Sequence, residues 1–189
     1  MSDKTLVLSL ARLPRALGST LHEGLVWVTP DDLGTPSMSA VPGVPLDISV
    51  DMTSVEDGVL VSLATSVDLV GECVRCLDEV REHHDVVSQE VYFEPGAPAL
   101  TSADDEGEEA DDLFVIGEHD TIDIETQLRD AIVPLVDPRP LCSDDCAGLC
   151  DVCGEKWADL PEDHEHFVVD PRLASLASLL GEDGESERS

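Results

Sequence analysis

The sequence predicts an α+β protein, built as an antiparallel β meander or a partly closed barrel, with a few helices and a C-terminal cysteine-rich segment. Three observations support this fold class. Two strand-like runs alternate on either side of a turn signal, a helix-like run follows an acidic stretch, and four cysteines fall within residues 142–153. The chain has 189 residues, which is enough for one compact domain with a single core.

The predicted meander begins in residues 45–54, where apolar and polar residues alternate in the pattern of a half-buried strand. The apolar positions are Leu46, Ile48, Val50 and Met52, and the polar positions are Asp47, Ser49, Asp51 and Thr53. After a turn signal at residues 56–58 the same period returns at Val59, Val61, Leu63, Val67 and Leu69. The two runs therefore predict a hairpin. Residues 77–93 predict a third strand and residues 5–10 a further one.

Helices are predicted in the second half of the chain. Asp123 can cap a helix whose apolar face is made of Ile124, Leu128, Ala131, Ile132 and Leu135. Pro134 marks the end of this helix or a kink in it. A terminal helix is predicted from Pro171 to Gly181, because proline favours the first turn of a helix and glycine its end.

These elements predict one domain over residues 1–180, followed by a disordered tail at 181–189. Residues 1–93 form its β-rich part. Residues 94–112 combine proline, glycine and a block of acids, which is typical of a mobile, solvated loop. Residues 113–180 then hold the helix, the cysteine-rich loop and the terminal helix.

The charge of the chain limits its partners. Ten Lys and Arg residues stand against forty-two Asp and Glu residues, which gives a formal net charge of -32. A chain of this charge repels phosphate backbones, so direct nucleic-acid binding is not expected and a basic protein is the more natural partner. The alternative is that the acidity serves only solubility or a salty cytoplasm.

The first 19 residues include charged residues and a proline that interrupt the apolar run of a secretion signal. No run approaches the roughly 18 apolar residues that a membrane helix needs. We therefore expect a cytoplasmic protein with no membrane association, and the sequence leaves its oligomeric state open. Because cytoplasmic thiols stay reduced, the clustered cysteines indicate metal or redox chemistry rather than disulfides.

The C-terminal cysteines have the spacing of a zinc knuckle. Cys150 and Cys153 are separated by two residues and followed by Gly154, and Cys142 and Cys146 lie close upstream. One short loop can therefore deliver four sulfurs to a tetrahedral zinc ion. Such a closed shell leaves no position for a substrate water, so the zinc would be structural.

An earlier pair gives a second possible ligand set. Cys73 and Cys76 are also separated by two residues, at the turn predicted between the second and third strands. They can form a zinc ribbon with Cys150 and Cys153, which leaves Cys142 and Cys146 without a role. For the early pair alone, two reduced thiols at a hairpin explain the spacing as well as metal binding does, and a chain without a stable metal is a third possibility.

Other chemistry finds less support. The spacing of Cys146, Cys150 and Cys153 also occurs in radical S-adenosylmethionine enzymes, but those are much longer barrels. A dithiol oxidoreductase places its two cysteines between a strand and a helix, and neither Cys73 and Cys76 nor Cys150 and Cys153 have that setting. His164 and His166 could replace a cysteine ligand, although the acids around them favour a solvated loop. No phosphate-binding or nucleophile-elbow motif is present, so no catalytic or cofactor-binding residue is predicted.

Several motifs occur together in an order that resembles a known family. They are the stretch GECVRCLDEV after the meander, the acidic insertion, the segment LRDAIVPLVDPRPLCSDDCAGLCDVCGEKW and the terminal DPRLASLASLL. From about residue 44 to residue 180 the chain resembles the actinobacterial branch of the YceD-like proteins, formerly a domain of unknown function and associated with accumulation of large-subunit ribosomal RNA.

The resemblance implies a non-enzymatic role in maturation of the large ribosomal subunit, with a basic ribosomal protein or a pre-ribosomal particle as partner. It also implies metal binding by the cysteines of the C-terminal motif, Cys142, Cys146, Cys150 and Cys153. The acid excess agrees with this role, because a strongly negative protein can hold a basic ribosomal protein away from non-specific RNA. The alternative function is a redox sensor that loses its zinc when the thiolates are oxidised.

Overall fold

Long antiparallel strands dominate the first of two compact units into which the chain divides, residues 1–144 and 145–189. The computed structural model describes residues 6–98, 100 and 113–166. In chain order its strands and helix are β1 (Val7–Ser9), β2 (Thr20–Val28), β3 (Met38–Ala40), β4 (Pro45–Val55), β5 (Gly58–Glu72), β6 (Glu79–Phe93), β7 (Thr121–Asp123) and α1 (Glu125–Ile132). Short 3₁₀ turns follow β1 and α1.

The strands β4, β5 and β6 form the predicted meander, which is confirmed. Val55 pairs with Gly58 across a tight turn, and β5 pairs with β6 over the whole length from Gly58 to Glu72. Glycine is required at position 58 because a Cβ there would collide with the backbone carbonyl oxygen of Tyr92. The strand predicted near the start is also confirmed, since β1 pairs with β7 in a separate two-stranded sheet.

The main sheet is open, so the partly closed barrel is not the fold that forms. β4 and β3 share one edge of β5, β6 covers the other edge, and β2 adds to the outside of β4. Among the described residues, no ladder joins β2 to β6. Closure needs pairing between the two outermost strands, and alternation within each strand says nothing about that pairing.

The core lies on the face of the sheet that the alternation predicts. Its buried residues on β4 and β5 are Leu46, Ile48, Val50, Met52, Val59, Val61, Leu63, Val67 and Leu69. The apolar side chains of α1 cover this core, and Leu128 and Ile132 are fully buried. The side-chain amide of Gln127 donates to the carbonyl oxygen of Val61 at 3.1 Å and so ties the helix to the sheet.

The limits of α1 agree with the predicted signals. A carboxylate oxygen of Asp123 accepts the backbone N–H of Glu125 at 3.0 Å, at the first residue of the helix. The helix ends at Ile132, and Pro134 lies in the 3₁₀ turn that follows. The predicted terminal helix and tail, and all but the first few residues of the predicted acidic loop, lie outside the described residues. The division into one domain with three parts stays a prediction.

Tyr92 joins β6 to the strand that leads into α1. Its ring is 1% exposed and lies 5.0 Å from the ring of Phe114, and its hydroxyl donates to the carbonyl oxygen of Asp123 at 3.1 Å. We expect Tyr92→Ala to lower the free energy of unfolding by about 3 to 5 kcal/mol. Tyr92→Phe should cost about 1 kcal/mol, because it removes only the hydrogen bond. Urea denaturation measures both values, and equal losses would contradict the role of the ring.

No helix in the described part of the chain combines the length and the apolar character that crossing a membrane requires.

Candidate metal centres

The turn between β5 and β6 holds Cys73 and Cys76. The backbone N–H of Cys73 donates to the carbonyl oxygen of Asp78 at 2.7 Å, and the N–H of Leu77 donates to that of Cys73 at 2.9 Å. Leu77 adopts a positive φ of 62° to close this turn. The cysteine side chains point inward, with 0% of Cys73 and 6% of Cys76 exposed. The pair therefore lies at the end of the hairpin that the sequence predicts, but in a buried position.

The loop after α1 brings Cys142 to this turn. The N–H of Val74 donates to the carbonyl oxygen of Pro140 at 2.9 Å, and the guanidinium of Arg75 donates to that of Asp144 at 3.2 Å. The sulfurs of Cys76 and Cys142 are 3.5 Å apart, and those of Cys73, Cys76 and Cys142 all lie within 4.8 Å of one another. We call these three cysteines the hairpin group.

The sulfur separations in the hairpin group fit metal ligands. A disulfide would require sulfurs about 2.05 Å apart, which is much shorter than the separation of Cys76 and Cys142. Two thiolates that share a tetrahedral zinc at about 2.3 Å lie about 3.8 Å from each other. The 3.5 Å between Cys76 and Cys142 is close to that value. Three thiols are therefore placed to bind one ion with only small movements.

Hydrogen bonds favour the thiolate form of Cys73. The backbone N–H of Cys142 donates to its sulfur and makes the largest contribution, and the N–H groups of Cys76 and Arg75 act in the same direction. Together they outweigh burial and lower the pKa of Cys73 to about 6. Thiolate is the form that binds metal. Because Cys73 is fully buried, it is better placed to bind an ion than to attack a substrate.

The second unit contains its own group of possible ligands. Cys150 is 2% exposed and Cys153 lies at the surface, on a turn that Gly154 closes with a φ of 75°. The N–H of Gly154 donates to the carbonyl oxygen of Cys150 at 2.9 Å, and the N–H of Cys150 donates to that of Glu155 at 2.7 Å. The hydrogen bonds have the form of the predicted knuckle. The N–H groups of Cys153 and Val152 lower the pKa of the Cys150 thiol.

Two histidines approach this turn. The Nε2 atom of His164 lies 3.6 Å from the sulfur of Cys153, and the ring of His166 lies 4.4 Å from that of His164. One ligand atom from each of Cys150, Cys153, His164 and His166 lies within 4.8 Å of the others. We call these four residues the knuckle group.

The predicted site residues thus fall into two groups. The structure brings Cys142 to Cys73 and Cys76, and it brings Cys150 and Cys153 to His164 and His166. Cys146 follows Cys142 by four positions and belongs to the second unit. The predicted quartet of Cys142, Cys146, Cys150 and Cys153 stays a prediction, as does the alternative that joins Cys73 and Cys76 to Cys150 and Cys153.

The sequence favours a solvated loop for His164 and His166 because acids surround them. In the structure His166 is exposed, as in such a loop, whereas His164 is half-buried and lies against Trp157 with ring centroids 5.5 Å apart. The signal that could have identified them is a His-x-His pair eleven residues after Cys153, a distance that a short loop can close. No local pattern in the sequence indicates that Cys142 lies near Cys73 and Cys76.

Comparison with known proteins identifies the relatives of this chain. The profile of the family described as large ribosomal RNA subunit accumulation protein YceD matches residues 61–180. An uncharacterized protein of Mycobacterium tuberculosis is 33% identical over 183 residues, which cover 97% of this chain and 85% of that protein. The uncharacterized protein YlbN of Bacillus subtilis is 35% identical over 79 residues, 41% of this chain and 45% of that protein. No solved structure is significantly similar.

The family profile covers more than half of the chain, including the early cysteine pair and the C-terminal cysteines, and the mycobacterial protein matches nearly all of it. The resemblance found in the motifs is confirmed, and the chain belongs to the YceD family of large ribosomal RNA subunit accumulation proteins.

Proposed function

We propose that this chain is a non-enzymatic assembly factor that supports accumulation of large-subunit ribosomal RNA by binding a basic ribosomal protein or a pre-ribosomal large subunit. The observation that carries the proposal is the family match over residues 61–180, since the family is named for this accumulation. A role in ribosome assembly supports the expectation that the chain acts in the cytoplasm. The charge of the chain and the ion pairs of its cationic side chains support a protein rather than RNA as the direct contact.

Several cationic side chains are already paired with carboxylates of the same chain. Arg12 pairs with Glu23, and Arg15 pairs with both Glu94 and Asp120. Arg81 pairs with Glu79, and Arg129 with both Asp32 and Glu125. Four of the seven Lys and Arg residues that the structure describes therefore pair with carboxylates. Phosphate contacts need cations that can displace counterions, so these pairs favour a basic protein as the direct contact.

Exposed acids lie on the face of the main sheet that is opposite the core, which we call the open face. Asp51 and Asp68 are each 64% exposed and Asp85 is 91% exposed, and Asp47 lies on the same face of β4 as Asp51. The carboxylates of Asp51 and Asp68 are hydrogen-bonded to the histidines His22 and His83, at 2.9 Å and 2.6 Å. This face presents a flat negative surface to a cationic partner, and its field extends about 8 Å at physiological ionic strength.

We assign a structural zinc ion to the hairpin group. Cys73, Cys76 and Cys142 supply three thiolates, all from the first unit. Thiolates are a donor set that selects zinc or an iron–sulfur cluster, and a fourth ligand that completes the tetrahedral shell would hold zinc without an open position. The ion would fix the end of the β5–β6 hairpin against the loop after α1 and would take part in no turnover.

Affinity purification at low ionic strength tests the assembly role. The tagged chain is expected to recover a basic protein of the large ribosomal subunit or a large-subunit precursor, and depletion of the chain is expected to lower large-subunit ribosomal RNA relative to small-subunit ribosomal RNA. An unrelated protein of similar length and net charge serves as control bait, because any protein that it also recovers binds through acidity alone. Recovery of nothing beyond that control, with normal ribosomal RNA after depletion, would refute the proposal.

The redox sensor stays a prediction as the alternative function. One exposed thiol in each group, Cys142 and Cys153, is open to an oxidant.

A further inference from the structure

The described part of the second unit, residues 145–166, contains almost no buried core. Among its described residues, 145–166, only Gly148 and Cys150 are buried. A segment this short cannot hold a fixed conformation by apolar burial, and proteins of this kind use disulfides or metal ions instead. Cys150 and Cys153 form no disulfide, so a disulfide does not fill this role.

The backbone of this unit is nevertheless organised around Cys150 and Cys153. Leu149 and Lys156 form an antiparallel bridge, and the N–H of Trp157 donates to the carbonyl oxygen of Gly148 at 3.0 Å. This short hairpin holds the two cysteines on one turn, with Gly154 in the left-handed conformation that few other residues adopt. Two sulfurs are thereby presented on the same side of the turn.

The chain then returns to place the histidines. A turn in which the N–H of His164 donates to the carbonyl oxygen of Pro161 at 3.0 Å precedes the His-x-His pair. The imidazole of His164 rests edge to face against Trp157, which fixes its orientation. Its Nε2 atom is then 3.6 Å from the sulfur of Cys153. A nitrogen and a sulfur bound to the same tetrahedral zinc are about 3.6 Å apart, so this separation matches a shared ion.

From this geometry we propose that Cys150, Cys153, His164 and His166 form a second metal site, which binds one zinc ion in a closed, structural Cys2His2 shell. Two thiolates and two neutral imidazoles balance the charge of the ion, whereas four thiolates would leave the shell at about −2. The ion would be the main stabiliser of residues 145–166. The site is independent of the hairpin group and of the ribosomal role, because its four ligands lie within one unit.

Metal analysis of the purified full-length chain tests the site. The double variant His164→Ala/His166→Ala is expected to contain one zinc equivalent fewer per chain than the wild type. His83→Ala/His84→Ala, which removes two histidines from strand β6, is the matched control and should leave the zinc content unchanged. Cobalt(II) substitution gives a second readout, because ligand-field bands typical of two sulfur and two nitrogen donors should be lost in the His164/His166 variant alone.

A further variant separates loss of ligands from misfolding. His164→Cys/His166→Cys should regain the lost equivalent, with cobalt bands that change to those of four sulfur donors. Wild-type zinc content in the His164→Ala/His166→Ala variant would overturn the proposal, and so would failure of the cysteine variant to regain the metal. A wild-type chain without zinc would overturn it as well. Loss of one equivalent with recovery in the cysteine variant would establish the site whether or not any ribosomal partner is found.

Discussion

Replacing Cys73 with serine is expected to remove one zinc equivalent per chain and to lower the Tm by about 10 °C. The hydroxyl of serine keeps its proton at neutral pH and does not replace a thiolate as a zinc ligand. The variant would also leave the backbone N–H groups of Cys142, Cys76 and Arg75 aimed at a smaller, uncharged atom in a buried position. Metal analysis and differential scanning calorimetry measure the two effects.

A neighbouring substitution provides the control. Val74 lies on the same turn and is 50% exposed, so Val74→Ser should change neither the zinc content nor the Tm. Chelation gives a second comparison, because removal of zinc should lower the Tm of the wild type more than that of Cys73→Ser, which has already lost one ion. A Cys73→Ser variant that keeps its full zinc content would contradict the metal site at the hairpin.

The parts of the fold that the sequence predicts well are those with a local signal. Alternation alone identifies β4 and β5, because one face of each strand is buried and the other faces solvent. The carboxylate of Asp123 and the position of Pro134 locate the two ends of α1 to within two residues. Whether the sheet closes into a barrel depends on the edges of strands that are distant in the chain, and no pattern within one strand carries that information.

The grouping of the cysteines also depends on contacts between segments that are distant in the chain. Spacing along the chain favours ligands that are close in sequence, and it therefore joins Cys142 to Cys150 and Cys153. In the structure the sulfur of Cys142 lies next to that of Cys76, although 66 positions separate them. This pairing depends on the hydrogen bond from Val74 to Pro140, which forms only when the hairpin and the loop after α1 meet. Tertiary contacts of this kind produce no periodic or compositional pattern in the sequence.

Neutralising the acids on the open face of the sheet is expected to weaken binding of a basic partner about tenfold at low ionic strength. The variant replaces Asp47, Asp51, Asp68 and Asp85 with asparagine. Each exposed charge contributes about 0.2 to 1 kcal/mol to a contact, and about 1.4 kcal/mol in total corresponds to a factor of ten in Kd. Surface plasmon resonance with proteins extracted from large ribosomal subunits measures the change, most of which should fall on the association rate.

Ionic strength distinguishes a charge effect from a change of shape. Because the screening length shrinks from about 10 Å at 0.1 M salt to about 3 Å at 1 M, the wild type should lose affinity steeply as salt is added and the asparagine variant only weakly. Asparagine introduced at Ser49, Ser62 and Ser66, which lie on the same face, changes the surface without changing its charge and should leave both affinity and salt dependence unaltered. Equal salt dependence in the wild type and the asparagine variant would place the partner on another surface, because the carboxylates removed would then contribute nothing to the encounter.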